Sequence, residues 1–285
     1  MIPELGLVCI SASKTVRYKT ITRKRLLQFE IPEQERLLRE LYAENLRRLE
    51  GAIAFCSDHK IRLYRLGSGL FPFADDVVGS AILEEFADEM RRIGTQAIQL
   101  GIRLVLHPDQ FVVLNSDRTE VIENSIKILR THARVFDLLG LPQSSWALMN
   151  IHGGKGNRAE RLIQTIKELP ENVRSRLTLE NDEYTYGVDQ LLPICCETGV
   201  PLLFDAHHHV IHEHLESYED PSVIRAFQAA RETWQTPEWQ VVHISNGAES
   251  FLDQKHSEYI TVMPSCYRDA PWIEIEAKQK EYAIE

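Results

Sequence analysis

Short apolar runs alternate along this chain with longer amphipathic stretches. The runs lie at residues 5–10 (L-G-L-V-C-I), 61–66 (I-R-L-Y-R-L), 102–107 (I-R-L-V-L-H) and 146–152 (W-A-L-M-N-I-H). They continue at 177–180 (L-T-L-E), 201–205 (P-L-L-F-D), 239–245 (W-Q-V-V-H-I-S) and 272–276 (W-I-E-I-E). Continuous apolar runs this short predict buried strands. Between them the spacing predicts helices over 33–58, 81–100, 120–139, 158–169, 188–198 and 221–233, and a Lys- and Glu-rich helical tail. On the first helix Leu38, Leu41, Tyr42, Leu49 and Ile53 share one face, and Pro32 stands at its start. Eight strands alternating with helices in 285 residues predict a TIM (β/α)8 barrel, an α/β fold, formed by residues 1–285 as a single domain. A doubly wound sheet would also alternate, but no G-x-G-x-x-G follows the first strand.

The chemistry sits where the strands end. The sixth run reads L-L-F and stops at Asp205, with His207, His208 and His209 following. Asp205 and His208 are three apart, so a turn after the strand can aim both at one ion. The pattern recurs. His107 ends the third strand, His152 the fourth and Glu180 the fifth; His243 lies in the last turn of the seventh and Glu276 ends the eighth. In a (β/α)8 barrel all these ends meet on the C-terminal face, where active sites are built. One such histidine would be an ordinary hydrogen-bonded core residue, but seven ligand-type residues at corresponding ends point to a metal site. Mixed imidazole and carboxylate donors suit Mn²⁺, Fe²⁺ or Zn²⁺ better than Mg²⁺ or Ca²⁺. Seven donors exceed the needs of one ion, so two or three are expected, with Glu180 as the bridge and the central catalytic carboxylate. Such a cluster suits phosphodiester hydrolysis.

Charge and composition narrow the partners. The formal net charge of −10 argues against indiscriminate nucleic-acid binding, although carboxylates around divalent cations would be neutralised. Between Lys14 and Arg25 the chain runs the other way: Lys14, Arg17, Lys19, Arg23, Lys24 and Arg25 occur without an acid. This segment is expected to be a long loop, either simply solvated or contacting phosphates. No apolar stretch reaches membrane-span length, the start M-I-P-E-L has no charged-then-apolar leader, and the five cysteines form no disulfide framework. A cytoplasmic monomer with reduced thiols is expected.

Weaker signals surround the strand ends. His256, in K-H-S-E-Y, is a candidate further ligand. Asp75 and Asp76 follow the second strand and offer either another donor or plain surface charge. Lys155, in H-G-G-K-G-N, is a candidate catalytic contact to a phosphate, although G-G-K-G lacks P-loop spacing. Gln110 and Phe111, in H-P-D-Q-F, offer an amide and an aromatic that can enter a duplex in place of displaced bases. The rival reading packs Phe111 in the core with Val112, Val113 and Leu114.

With H-P-D-Q-F, N-I-H-G-G-K-G-N, L-E-N-D, F-D-x-H-H and I-E-A-K occurring in that order, nearly the whole chain resembles the UV damage endonucleases, TIM-barrel repair enzymes related to endonuclease IV. The resemblance implies a Mn²⁺-dependent enzyme that nicks DNA immediately 5′ to a UV photoproduct, leaving 3′-hydroxyl and 5′-phosphate ends. It implies metal roles for His107, His152, Glu180, Asp205, His208, His243, His256 and Glu276, and lesion probing by Gln110 and the aromatic at 111. Three positions depart from that pattern: Phe111 stands for a tyrosine, Val241 for a lysine open to carboxylation, and Leu7 for a tyrosine near the end of the first strand. A sugar isomerase or epimerase on the same barrel is the alternative, since such enzymes also gather Glu, Asp and His around divalent metals. It has no need of the basic loop or the Gln110–Phe111 pair. A barrel that binds metal and DNA without cutting is the third reading.

Overall fold

A computed structural model describes residues 2–284 apart from 109 and 110. The strands are β1 (Glu4–Val8), β2 (Leu63–Leu66), β3 (Arg103–Leu106), β4 (Met149–His152), β5 (Leu177–Glu180), β6 (Leu202–Asp205), β7 (Val241–Ile244) and β8 (Trp272–Ile275). They pair in sequence order, all parallel, and β8 closes on β1. The α-helices are α1 (Arg23–Leu26), α2 (Ile31–Asp58), α3 (Val77–Glu85), α4 (Ala87–Gln99), α5 (Thr119–Leu139), α6 (Ala159–Glu168), α7 (Glu171–Arg174), α8 (Val188–Thr198), α9 (Ala206–His212) and α10 (Pro221–Glu232). This is the expected TIM barrel.

Period-2 alternation sorts each strand into an outward and an inward set. Outward residues such as Leu7, Tyr64, Leu104, Met149, Phe204 and Val242 pack in one large core with the buried helix faces. On α2 that face is Leu38, Tyr42, Leu46, Leu49, Ile53 and Cys56, three or four residues apart as a helix requires. Inside the barrel, Leu63, Val105, Leu148, Leu203 and Val241 form a separate apolar cluster with Trp234. Two residues further along those strands, on the same inward face, stand Arg65, His107, Asn150, Asp205 and His243. The site is therefore the polar layer that crowns an apolar one. Val241 lies one layer beneath it, and Leu7 faces the helices rather than the mouth.

The lower end of the barrel is plugged by Arg103, which is fully buried. Its guanidinium donates to the backbone oxygens of Trp146 (2.7 Å), Trp239 (2.9 Å) and Ser145 (2.8 Å) and lies over the Trp146 and Trp272 rings. Carbonyls captured this way are diverted from the ladder. Two strands consequently start later than the apolar runs suggest, with 3₁₀ turns at Ser145–Ala147 and Pro237–Trp239 in place of the first residues. Other expectations shift too. The helix expected over 81–100 is two, α3 and α4, meeting at Phe86. The basic loop contains α1, capped by Thr22. The tail is a 3₁₀ turn, Lys280–Ala283, and the turn expected after β6 is a helix, α9.

Candidate metal centre

Six strand ends deliver seven imidazoles and carboxylates to one place. Their ligand atoms form three overlapping groups, each within 4.8 Å: His107, His152 and Glu180; Glu180, Asp205 and His208; Asp205, His243 and Glu276. Glu180 and Asp205 are shared between groups. Glu180 Oε2 lies 3.3 Å from His107 Nε2 and 3.9 Å from His152 Nε2. Its Oε1 lies 3.0 Å from His243 Nδ1 and 3.4 Å from His208 Nδ1. His243 Nδ1 is also 3.5 Å from Glu276 Oε1, and His256 Nε2 is 3.8 Å from Glu276 Oε2. The eighth candidate, His256, thus reaches the edge of the cluster. It comes from the long segment after β7, which is folded back by a bridge between Gly247 and His256.

Neighbouring groups fix the rings. His107 Nδ1 lies 2.8 Å from the Pro108 backbone oxygen, and His208 Nδ1 2.9 Å from that of Asn181. Holding one imidazole nitrogen on a carbonyl orients a ligand ring. Asp205 caps α9, accepting from the His208 backbone N–H at 2.8 Å, and this one bond sets the spacing of two candidate ligands. Its other oxygen, Oδ2, is buried and has no hydrogen-bond partner among the described residues; His152 Nδ1 is in the same condition. A buried carboxylate oxygen without a donor is costly, and a cation is the partner that would satisfy it. The residues present fit a divalent ion.

The electrostatics are those of a cation site filled by its own histidines. Burial opposes the charge on Glu180, but the His243 and His152 imidazoles outweigh it and hold the carboxyl well below its usual range. Burial would likewise depress His208, yet Asp205 and Glu180 push it up to about 9. His152 has too little compensation, and burial takes it below its ordinary value.

Arg65, Glu274 and Glu183 belong to the site and were not picked out from the sequence. Arg65 Nε donates to Glu274 at 3.0 Å, and its NH2 group donates to Glu276. Glu274 accepts from His243 Nε2, and Glu183 lies 3.5 Å from His208 Nε2. The legible signal was again position: Arg65 is two residues beyond Leu63 on the inward face, and Glu274 two before Glu276.

A cavity of about 530 Å³ opens over the cluster, lined among others by His107, His152, Glu180 and Glu276. Phe111 is on its rim, 71% exposed. The core expectation fails for Phe111, while Val112 and Leu114 fill that place. Gln110 lies outside the described residues. Lys155 is exposed; its loop is held by Asn115, which bonds the Lys155 N–H and the Gly153 and Lys155 oxygens at 2.8–2.9 Å. Gly154 has φ +80°, and a Cβ there would stand 2.4 Å from Asn115 Oδ1, so glycine is required. Arg17, Lys19 and Lys24 are exposed, whereas Arg23 pairs with Asp76 at 2.9 Å. Of the two readings of Asp75 and Asp76 the structure favours surface charge: Lys127 pairs with Asp75 at 3.0 Å and with Asp76 at 3.5 Å.

A parallel eight-stranded barrel with imidazoles and carboxylates converging at its strand ends defines the class as a TIM barrel with a candidate metal centre. Within it, the chain belongs to the UV-endonuclease UvdE family, whose sequence model matches residues 3–285, and it is accordingly a nuclease. It is 56% identical over 284 residues to a UV DNA damage endonuclease of Nostoc sp., covering 99% of this chain and 88% of that protein. It is 50% identical over 286 residues to a UV DNA damage endonuclease of Deinococcus radiodurans, covering 99% and 94%. The crystal structure of SacUVDE superposes with a TM-score of 0.78 at 25% identity, over 99% of this chain and 95% of that one.

Proposed function

We propose that the strand-end cluster hydrolyses the phosphodiester bond immediately 5′ to a UV photoproduct in double-stranded DNA, leaving 3′-hydroxyl and 5′-phosphate ends. The observation that carries the reading is the convergence of seven donor residues, Glu180 central among them, with an Asp205 oxygen that accepts no hydrogen bond from the described residues. Two or three Mn²⁺ ions are the proposed cofactors. His107, His152, Glu180, Asp205, His208, His243, His256 and Glu276 would hold them. Divalent ions bound there would supply Lewis acidity, easing deprotonation of water and drawing charge from the phosphoryl group. The mixed nitrogen and oxygen donors favour Mn²⁺ over Mg²⁺.

The chain's own residues do the rest. Glu180, shared between two donor groups, keeps its charge because imidazoles surround it. Lys155, exposed beside His152, contacts a phosphate next to the scissile bond. Phe111 enters the duplex together with Gln110 and takes the place of unstacked bases. Unstacking costs a few kcal/mol, less at a lesion that has already weakened stacking, so damaged sites are favoured without sequence being read. Arg17, Lys19, Arg23 and Lys24 line the flanking backbone. The protein acts as a cytoplasmic monomer. A small sugar pocket would not need an aromatic as exposed as Phe111, and the family match weighs against the isomerase alternative.

The test is a supercoiled plasmid, irradiated or not, incubated with the protein and Mn²⁺. Nicking is expected only after irradiation. It should fall at least 1,000-fold in Glu180→Gln and His208→Ala, about 4 kcal/mol of lost barrier reduction. Equal nicking of both plasmids would remove the lesion specificity, and wild-type rates in both variants would remove the site.

A further inference from the structure

Behind the cluster lies a hydrogen-bonded chain that the reaction above does not use. Arg65 rises from β2 with its side chain 8% exposed, and its guanidinium fork spans one acid of β8 and one just past its end, with Nε on Glu274 and NH2 on Glu276. Glu274 is 1% exposed. Its second oxygen accepts from His243 Nε2, while His243 Nδ1 faces Glu180 and Glu276. One guanidinium therefore ties together a candidate ligand carboxylate at the end of β8 and the carboxylate that holds a candidate ligand imidazole of β7.

We propose that Arg65 and Glu274 are positioning residues that preset His243 and Glu276 for metal binding. Glu274 holds the proton on Nε2 so that Nδ1 offers its lone pair to the ion. Arg65 keeps Glu274 from turning toward the metal and fixes the spacing of the two acids. A carboxylate behind a ligand histidine acts in this way in metal sites generally, and its loss typically weakens metal affinity by about 10–100-fold. Lysine cannot replace the fork, since its three donors radiate from a single nitrogen. Val241 offers no polar group beneath His243, so the carboxylate comes from the neighbouring strand.

The inference rests on the metal-centre reading, and the experiment separates the two. Mn²⁺ is titrated calorimetrically into the wild-type full chain, Glu274→Gln and Arg65→Lys. The visible spectrum of each Co²⁺-loaded protein is recorded, with thermal melting as the check on folding. Both variants should lose at least tenfold in affinity for the ion held by His243 and Glu276 and show an altered Co²⁺ spectrum. A purely structural role would lower the melting temperature and leave the spectrum alone, and that result, or unchanged isotherms in both, would overturn the proposal. If Glu274→Gln does not fold, Arg65→Lys decides alone. A wild-type protein that binds no Mn²⁺ would overturn the metal centre itself.

Discussion

At the scale of single residues, one carboxylate organises the site. Glu180 faces four imidazoles, and the acids around His208 and His243 raise both above the ordinary histidine value, so a metal ion must displace protons there. His208 shows the sign. Its pKa is raised from 6.5 to about 9, so its ion pairing stabilises the metal-free fold fully below about pH 6.5 and is lost as pH rises through about 9. Mn²⁺ competes with that proton, and its affinity should climb through the same window. Calorimetry at pH 7.5 in buffers of differing ionisation heat should show proton release on Mn²⁺ binding, reduced by about one proton in His208→Asn. Heats independent of buffer would contradict this. The seven candidate ligands were legible because six of them are the last inward residue of a strand or the first residue beyond it, and His208 follows Asp205 by three. Arg65 and Glu274 were not, because a charged residue within an apolar run reads as a solvated one until the barrel closes over it.

At the scale of elements, the three consecutive histidines of α9 take three different tasks. His208 faces the metal cluster, and His209 packs edge-on to Phe204. His207 clamps the segment after β7, with Nε2 2.9 Å from the Asp253 backbone oxygen and Nδ1 2.7 Å from the Tyr218 hydroxyl. Asp253 in turn accepts from the backbone N–H groups of Glu249 and Lys255, so the clamp sets the path of the chain leading to His256. His207→Ala should cost about 2 kcal/mol by leaving these partners unsatisfied. It should speed proteolysis within 247–256, read by mass spectrometry alongside urea melts. Unchanged cleavage and stability would show that the clamp carries nothing. Strand identity was legible from apolar continuity, but strand starts were not. The carbonyls of residues 145, 146 and 239 go to Arg103, a partner that sequence does not reveal. The helical state of α9 was missed for a local reason: histidine is a weak helix former, and the cap that starts the helix, Asp205, looked only like a ligand.

At the scale of the molecule, a net charge of −10 must coexist with binding a polyanion. Glu180, Asp205 and Glu276 are gathered in the cluster, where bound cations would neutralise them, while exposed Arg17, Lys19 and Lys24 stand in the segment after β1. Replacing those three by Ser should reduce the slope of log affinity against log salt by up to about 3. Mn²⁺ binding should be unaffected, and an unchanged slope would take the segment out of the interface. The barrel and its strand-end cluster were legible as a whole because period-2 alternation and the rule that barrel sites sit at C-terminal strand ends are both properties of sequence order. The most direct measurement is a 5′-labelled duplex carrying a single UV photoproduct, incubated with the protein and Mn²⁺ and resolved at single-nucleotide length. The expected product ends at the nucleotide immediately 5′ to the lesion, bears a 3′-hydroxyl that a polymerase extends, and disappears with EDTA. An intact strand, or cutting unaffected by EDTA, would contradict the account.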